Sequence, residues 1–218
     1  MGYSLGPQII NVLSVLILGL TLLMLGLRRL SHGLNAYAVH SLLLASVTGI
    51  VGYGQGNVHI YMAAIATVAI KVVIIPYIMI KLVSAMRVKR ETGLLVNAPT
   101  SFIIAVGLTI LASQVARSLA LGTTPFDDVL TVAVAVSLIG MLLMVIRKDA
   151  VMQVIGLLTM ENGLFLVGLI LTNGMPFFVE IGIFFDILIS GLLLWVYLKR
   201  MHFSLKSTNT AHLNQLRG

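Results

Sequence analysis

The sequence contains no cysteine. It can form no disulfide, and it cannot ligate an iron–sulfur cluster through thiolates. Charge is also scarce: 10% of the 218 residues are Asp, Glu, Lys or Arg, against about 25% in an ordinary soluble domain. There is no Gly-rich phosphate loop and no nucleophile–His–acid arrangement. What fills the chain instead is apolar, with 59% hydrophobic residues and a mean hydropathy of +1.07. A soluble domain of this size has too little interior to hide that surface, so lipid is expected to solvate most of it. No room remains for a large soluble domain. The longest polar stretches are Arg87–Thr100 and the tail after Leu198.

Seven apolar segments can be drawn, each long enough for the roughly 20 residues of a helical span. They run over about Gly6–Leu27, Leu34–Tyr53, Val58–Met86, Ser101–Leu121, Val129–Ile146, Ala150–Leu171 and Pro176–Leu198. The third is long, and is expected to be tilted or broken. The runs are too long, and alternate too little, for barrel strands, so the chain reads as an all-α polytopic membrane protein of about seven transmembrane helices. Met1–Gln8 lacks the positive region of a signal peptide and no small-residue cleavage site follows, so the first run is expected to be retained as a helix.

The net charge of +7 suggests nucleic acid, but the placement of the charges does not. Arg28 and Arg29 follow the first segment, Arg87, Lys89 and Arg90 the third, Arg147 and Lys148 the fifth, and Lys199, Arg200, Lys206 and Arg217 the seventh. The loops after the second, fourth and sixth segments hold no Lys or Arg, and the middle one carries Asp127 and Asp128, a solvated loop with possible helix caps. That alternation predicts an N-terminus outside and a cytoplasmic C-terminus. A weak internal repeat accompanies it: segments one to three and five to seven each have a basic pair after the first helix and an ionisable residue midway along the third (Lys71, Asp186). The chain thus divides into an N-terminal three-helix unit with its basic loop (1–100), a fourth helix and outer acidic loop (101–128), a second three-helix unit (129–200) and a cytoplasmic tail (201–218).

A charge at the centre of a membrane helix costs at least about 2.5–3.5 kcal/mol, so such residues face other helices or water and point to function. Glu161 lies at the middle of the sixth segment and Asp186 at the middle of the seventh. A short connection, Thr172–Met175, makes these an antiparallel pair whose acids are expected at similar depth. Glu180 lies about 120° around the seventh helix from Asp186 and about 9 Å nearer the outer surface. Lys71 is midway along the third segment, and Pro76 frees the carbonyl near Val72, placing backbone polarity beside the ammonium. Gln114 and Arg117 are on the fourth segment, where Arg117 can snorkel to the interface. A carboxyl in apolar surroundings is driven towards neutrality and a neighbouring Lys opposes this, which suits proton exchange. The competing reading is a static ion pair that fixes helix register. His40 and His59 have no second ligand at metal spacing and read as satisfied polar side chains; His202 and His212 lie in the tail. The eleven Met are mostly packing residues.

Ile146-Arg147-Lys148, Ile155-Gly156-Leu157 and the acidic sixth helix resemble the K subunit of respiratory complex I and its relative in Mrp-type cation/proton antiporters. The resemblance covers the 129–200 unit and implies two membrane-embedded acids on a proton-conducting axis. Asp186 falls where the third-helix acid is expected; Leu158 occupies the other position, and Glu161 comes one turn later. A wider resemblance spans nearly the whole chain. Met160-Glu161-Asn162-Gly163, Val179-Glu180-Ile181-Gly182-Ile183 with Asp186, Lys71-Val72 with Pro76, and the ending Leu213 to Leu216-Arg217-Gly218 are similar to hydrogenase-4 component E. That family supplies a membrane subunit of group 4 energy-converting [NiFe] hydrogenase and formate hydrogenlyase-type complexes. The resemblance implies a chain without an active site of its own, in a prokaryotic inner (plasma) membrane. Its implied partners are antiporter-like membrane subunits, a membrane anchor subunit and a peripheral arm. The arm would hold the iron–sulfur clusters and the nickel–iron centre. Glu161, Asp186, Lys71 and Glu180 would serve a proton pathway. A purely structural linker and a subunit of an Mrp-type antiporter are the alternatives.

Overall fold

The structure is a computed structural model. It describes residues 5–86, 95–119 and 127–172, and beyond them residues 182, 184–185, 187–189, 192–193, 195–196 and 199. The regular elements described are all helical: α1 (Leu5–Gly26), α2 (Leu30–Gln55), α3 (Val58–Thr67), a π-helical segment (Val68–Ile74), α4 (Ile75–Met86), α5 (Ala98–Leu119), α6 (Asp127–Ile146) and α7 (Ala150–Leu171). Among the described residues six helices are long and apolar enough to cross a membrane, with α3 and α4 counting as one through the π segment. Most of the seventh predicted segment, with Glu180 and Asp186, lies outside the described residues.

The third predicted segment is not broken. Its helix continues through a π turn, in which the Ile75 N–H bonds to the Ile70 carbonyl five residues back. Pro76, lacking an N–H, follows directly. The wider turn also keeps one face inward. Thr67, Lys71, Ile75 and Met79 are all buried at a spacing of four, which in an α-helix would drift by about 40° per step.

Local chemistry sets the other boundaries. Gly56 ends α2 at φ 62°, a left-handed conformation that favours glycine, and its N–H returns to α2 carbonyls. Asn57 then caps α3, its Oδ1 accepting from the His59 N–H at 3.0 Å. Asp149 caps α7 in the same way, accepting from Val151 N–H at 2.9 Å. The final carbonyls of α1 have no partner within the helix. Arg147 supplies one, its Nη2 donating to Met24 O at 2.7 Å and Leu25 O at 3.0 Å. Arg147 is wholly buried, so this member of the basic pair after the fifth segment is a structural clasp and not a solvated charge. It also shows that α1 and α6 end at the same face of the bundle. We call this the basic face, and the face where α1 begins the N-terminal face.

Hydrophobic side chains form two clusters, one towards each face. The cluster near the basic face includes Met24, Leu25, Leu34, Tyr37, Met79, Leu143 and Leu158, with Ile189 and Leu193 against it. The cluster near the N-terminal face includes Ile10, Ile17, Leu44, Ile60, Val136 and Leu166. Helices α6 and α7 make the closest approach. A methyl group at Gly140 would strike the Met160 backbone, one at Gly156 would lie 2.5 Å from Met144 N, and one at Gly163 would strike Ser137. Without a solvent-driven hydrophobic effect, membrane helices gain from such small-residue contacts. Gly163→Ala is therefore expected to lower stability by about 1–3 kcal/mol through overpacking. Gly107→Ala, at a site with open space, should be neutral or stabilising by up to about 1 kcal/mol. Thermal unfolding of both variants in detergent checks the contrast.

Candidate functional site

Helices α1, α2, α6 and α7, and the α3–α4 helix, pass from one apolar cluster to the other, and buried polar side chains lie at the crossing. Thr21 on α1, His40 and Ser41 on α2, Lys71 on the π segment and Asn162 on α7 are all buried. Glu161 stands beside them. The structure brings Lys71 and Glu161 together: Nζ donates to Glu161 Oε1 at 3.0 Å. The same ammonium donates to Asn162 Oδ1 at 2.8 Å, and the Phe165 ring centroid lies 6.0 Å away. Lys71 is 1% exposed and Glu161 13%, so the lysine is the more deeply buried partner, although Glu161 Oε2 is itself buried.

Asn162 carries the network onward. Its oxygen accepts from Lys71, so its Nδ2 donates to Ser41 Oγ at 3.1 Å and meets His40 Nδ1 at 3.1 Å. That assigns His40 Nδ1 as the acceptor and leaves the proton on Nε2, which faces Thr21 Oγ1 at 3.1 Å. Thr21 donates in turn to Ile17 O at 2.8 Å. Every donor in the series Lys71, Asn162, His40, Thr21 thus points the same way, from an ammonium to a backbone carbonyl. Such aligned bonds polarise one another in a low dielectric. Chemically, the layer offers one acid–base pair and a neutral imidazole two hydrogen bonds away.

The π turn places Lys71 here, and π turns inside helices frequently occur at functional sites. On α7 the shift of the acid by one turn has a visible result. Leu158, at the position where the K-subunit resemblance expects an acid, is buried in the apolar cluster near the basic face. Glu161 instead stands level with Lys71. Gly163, the next residue after Asn162, lets α7 press against Ser137 of α6, which fixes the depth of both polar side chains.

Other predicted residues fall elsewhere. His40 is a satisfied polar side chain, as expected, but it belongs to the central layer. His59 is exposed at the start of α3, and Arg117 and Gln114 are exposed on α5. No group of three His, Cys, Asp or Glu able to hold a metal occurs among the described residues. Sequence reasoning passed over Asn162, Ser41 and Thr21. The available signal was a polar residue in mid-helix: Asn162 adjoins Glu161 in a motif already singled out, and His40-Ser41 interrupts an apolar run. Ser and Thr are too common in membrane helices for Thr21 to stand out.

Over 178 residues, 80% of this chain and 80% of the other, the sequence is 29% identical to the protein of Mycobacterium tuberculosis (strain ATCC 25618 / H37Rv) described as "Uncharacterized protein Rv0085". No family model and no solved structure matches the chain.

Removing one member of a buried charge pair strands the other in apolar surroundings, at a cost of about 3–5 kcal/mol, whereas removing both does not. Lys71→Leu and Glu161→Leu are each expected to destabilise the chain by about 3 kcal/mol. The double variant should lose clearly less than the sum of the two. A double-mutant cycle read by thermal unfolding in detergent measures this coupling; additive losses would show that the pair does not interact.

Proposed function

We propose that this chain is a non-catalytic membrane-arm subunit of a redox-driven proton-translocating complex of the hydrogenase-4/formate hydrogenlyase kind. The observation that carries the reading is the Lys71–Glu161 pair, joined through Asn162 to His40, in the polar layer between two apolar clusters. A buried lysine and carboxylate at hydrogen-bond distance can pass a proton between them when the surrounding charge changes. In this reading Glu161 exchanges protons, Lys71 tunes it, and Asp186 and Glu180 extend the pathway along the seventh segment. The seven spans, the N-terminus outside and the cytoplasmic C-terminus follow from the alternation of basic loops, and the location is a prokaryotic plasma membrane. Redox chemistry belongs to partner subunits that hold the iron–sulfur clusters and a nickel–iron centre, consistent with a chain that has no cysteine. The resemblance to hydrogenase-4 component E names those partners.

One observation favours a second reading, a static clasp between antiporter-like modules. The series of bonds from Lys71 to the Ile17 carbonyl is closed, each donor having an acceptor. Glu161→Gln and Lys71→Gln separate the two, because both keep polar side chains in place. Proton translocation per electron in the assembled complex should fall by at least about tenfold in each. Normal assembly with unchanged translocation would overturn the proton role and leave the clasp. Nickel and iron co-purifying with the complex would distinguish it from a stand-alone Mrp-type antiporter.

A further inference from the structure

We propose that water reaches the polar layer from the N-terminal face alone, along a strip between α1, α2 and α3, so that the layer exchanges protons with that side of the membrane. The purpose of the strip rests on the proton-exchange reading; its geometry does not. A cavity of about 510 Å³ opens at the N-terminal face, with Pro7 and Ile10 of α1, Val51 and Gln55 of α2 and Leu169 of α7 in its wall. Between it and the polar layer stand three buried hydroxyl residues: Ser14, Thr48 and Thr67.

Helix register places these residues at regular depths. Thr21 touches His40 across the antiparallel pair α1 and α2. Ser14 is two turns before Thr21 and Thr48 two turns after Ser41, so Ser14 and Thr48 share a level, about 10 Å from the polar layer. Thr67 precedes Lys71 by four residues and so stands between that level and the polar layer. Ile10, in the cavity wall, lies one turn beyond Ser14 and offers its carbonyl to the Ser14 hydroxyl at 2.8 Å.

The polar atoms along the strip suit water. Ser14 and Thr48 donate their protons to Ile10 O and Leu44 O, which leaves each hydroxyl oxygen an acceptor for a water proton. Asn11, one turn before Ser14, has a buried Oδ1 with no hydrogen-bond partner among the described residues. A buried amide oxygen in that state is costly unless water meets it. The neighbours on α2 and α3 are small, Ala45 and Ala63 both being buried. The half towards the basic face has no such ladder among the described residues. Thr159 turns onto Ile155 O and the Met24 sulfur, Arg147 is held on the end of α1, and Tyr37 packs with Leu34, Ile75 and Met79 in the apolar cluster.

The absence of cysteine allows a direct test in the full chain within its native membrane complex. Ser14→Cys, Thr48→Cys and Thr67→Cys replace a hydroxyl by a thiol of similar size. Leu34→Cys and Met79→Cys serve as comparators in the other half. The probe is a membrane-impermeant trimethylammonium methanethiosulfonate; the cysteine thiolate attacks its sulfenyl sulfur and expels methanesulfinate, which needs water at the site to ionise the thiol. In vesicles of either orientation, the three strip variants should react at least about tenfold faster than the comparators, and only when the probe faces the N-terminal side. Reaction at the comparators' rate, or equal reaction from both sides, overturns the proposal. One-sided labelling in a complex that translocates normally with Glu161→Gln and Lys71→Gln would keep the strip and refute the proton role of the layer.

Discussion

An ammonium in hydrocarbon must be met by oxygen, and the middle of this bundle is arranged around meeting one. Lys71 has two acceptors, Glu161 Oε1 and Asn162 Oδ1, on adjacent residues of one helix. Adjacent residues are about 100° apart on an α-helix, so both reach the same ammonium only if α7 presents the edge between them to α3. That orientation depends on α7 lying close to α6, and the glycines at 140, 156 and 163 permit it. Asn162 in turn spends its amide protons on α2, whose His40 holds Thr21 of α1. Four helices are tied together by the needs of one charge.

The two apolar clusters give this layer its electrical character. They surround it with side chains of low dielectric, in which each hydrogen bond is both stronger and more costly to break. Polar contacts in such a place specify depth and register more than they add stability, because unpaired alternatives are so unfavourable. The Arg147 clasp applies the same rule at the bundle's edge: a buried guanidinium is tolerated where the end of α1 supplies carbonyls and the negative end of a helix dipole.

The helical class, the near-exact limits of the sixth segment, Ala150–Leu171, and the choice of Lys71 and Glu161 were legible from hydropathy and from the cost of charge in lipid. The pairing of those two was not, because depth along separate helices does not fix rotation about them. The sequence instead suggested Asp186 as the neighbour of Glu161 through the short sixth-to-seventh connection. Arg147 was concealed by its company: a basic pair at a helix end fits a topology signal, and nothing in Arg147-Lys148 says that the first is wholly buried and the second exposed. The π turn was concealed as well. Pro76 flagged the place correctly, but a proline announces a missing donor and not the form the preceding turn adopts to manage without it.

That turn also has a meaning for comparison between chains. An α-helix that gains one residue, while the turns on either side keep their faces, absorbs it as a π turn. Helix halves 58–67 and 75–86 therefore stand in a phase that an uninterrupted α-helix reaches with one residue fewer. An alignment of this helix with a wholly α-helical counterpart would be correct on both sides only with a single-residue gap between Val68 and Ile74. Without that gap, either Lys71 or the buried face of α4 would be matched to lipid-facing positions.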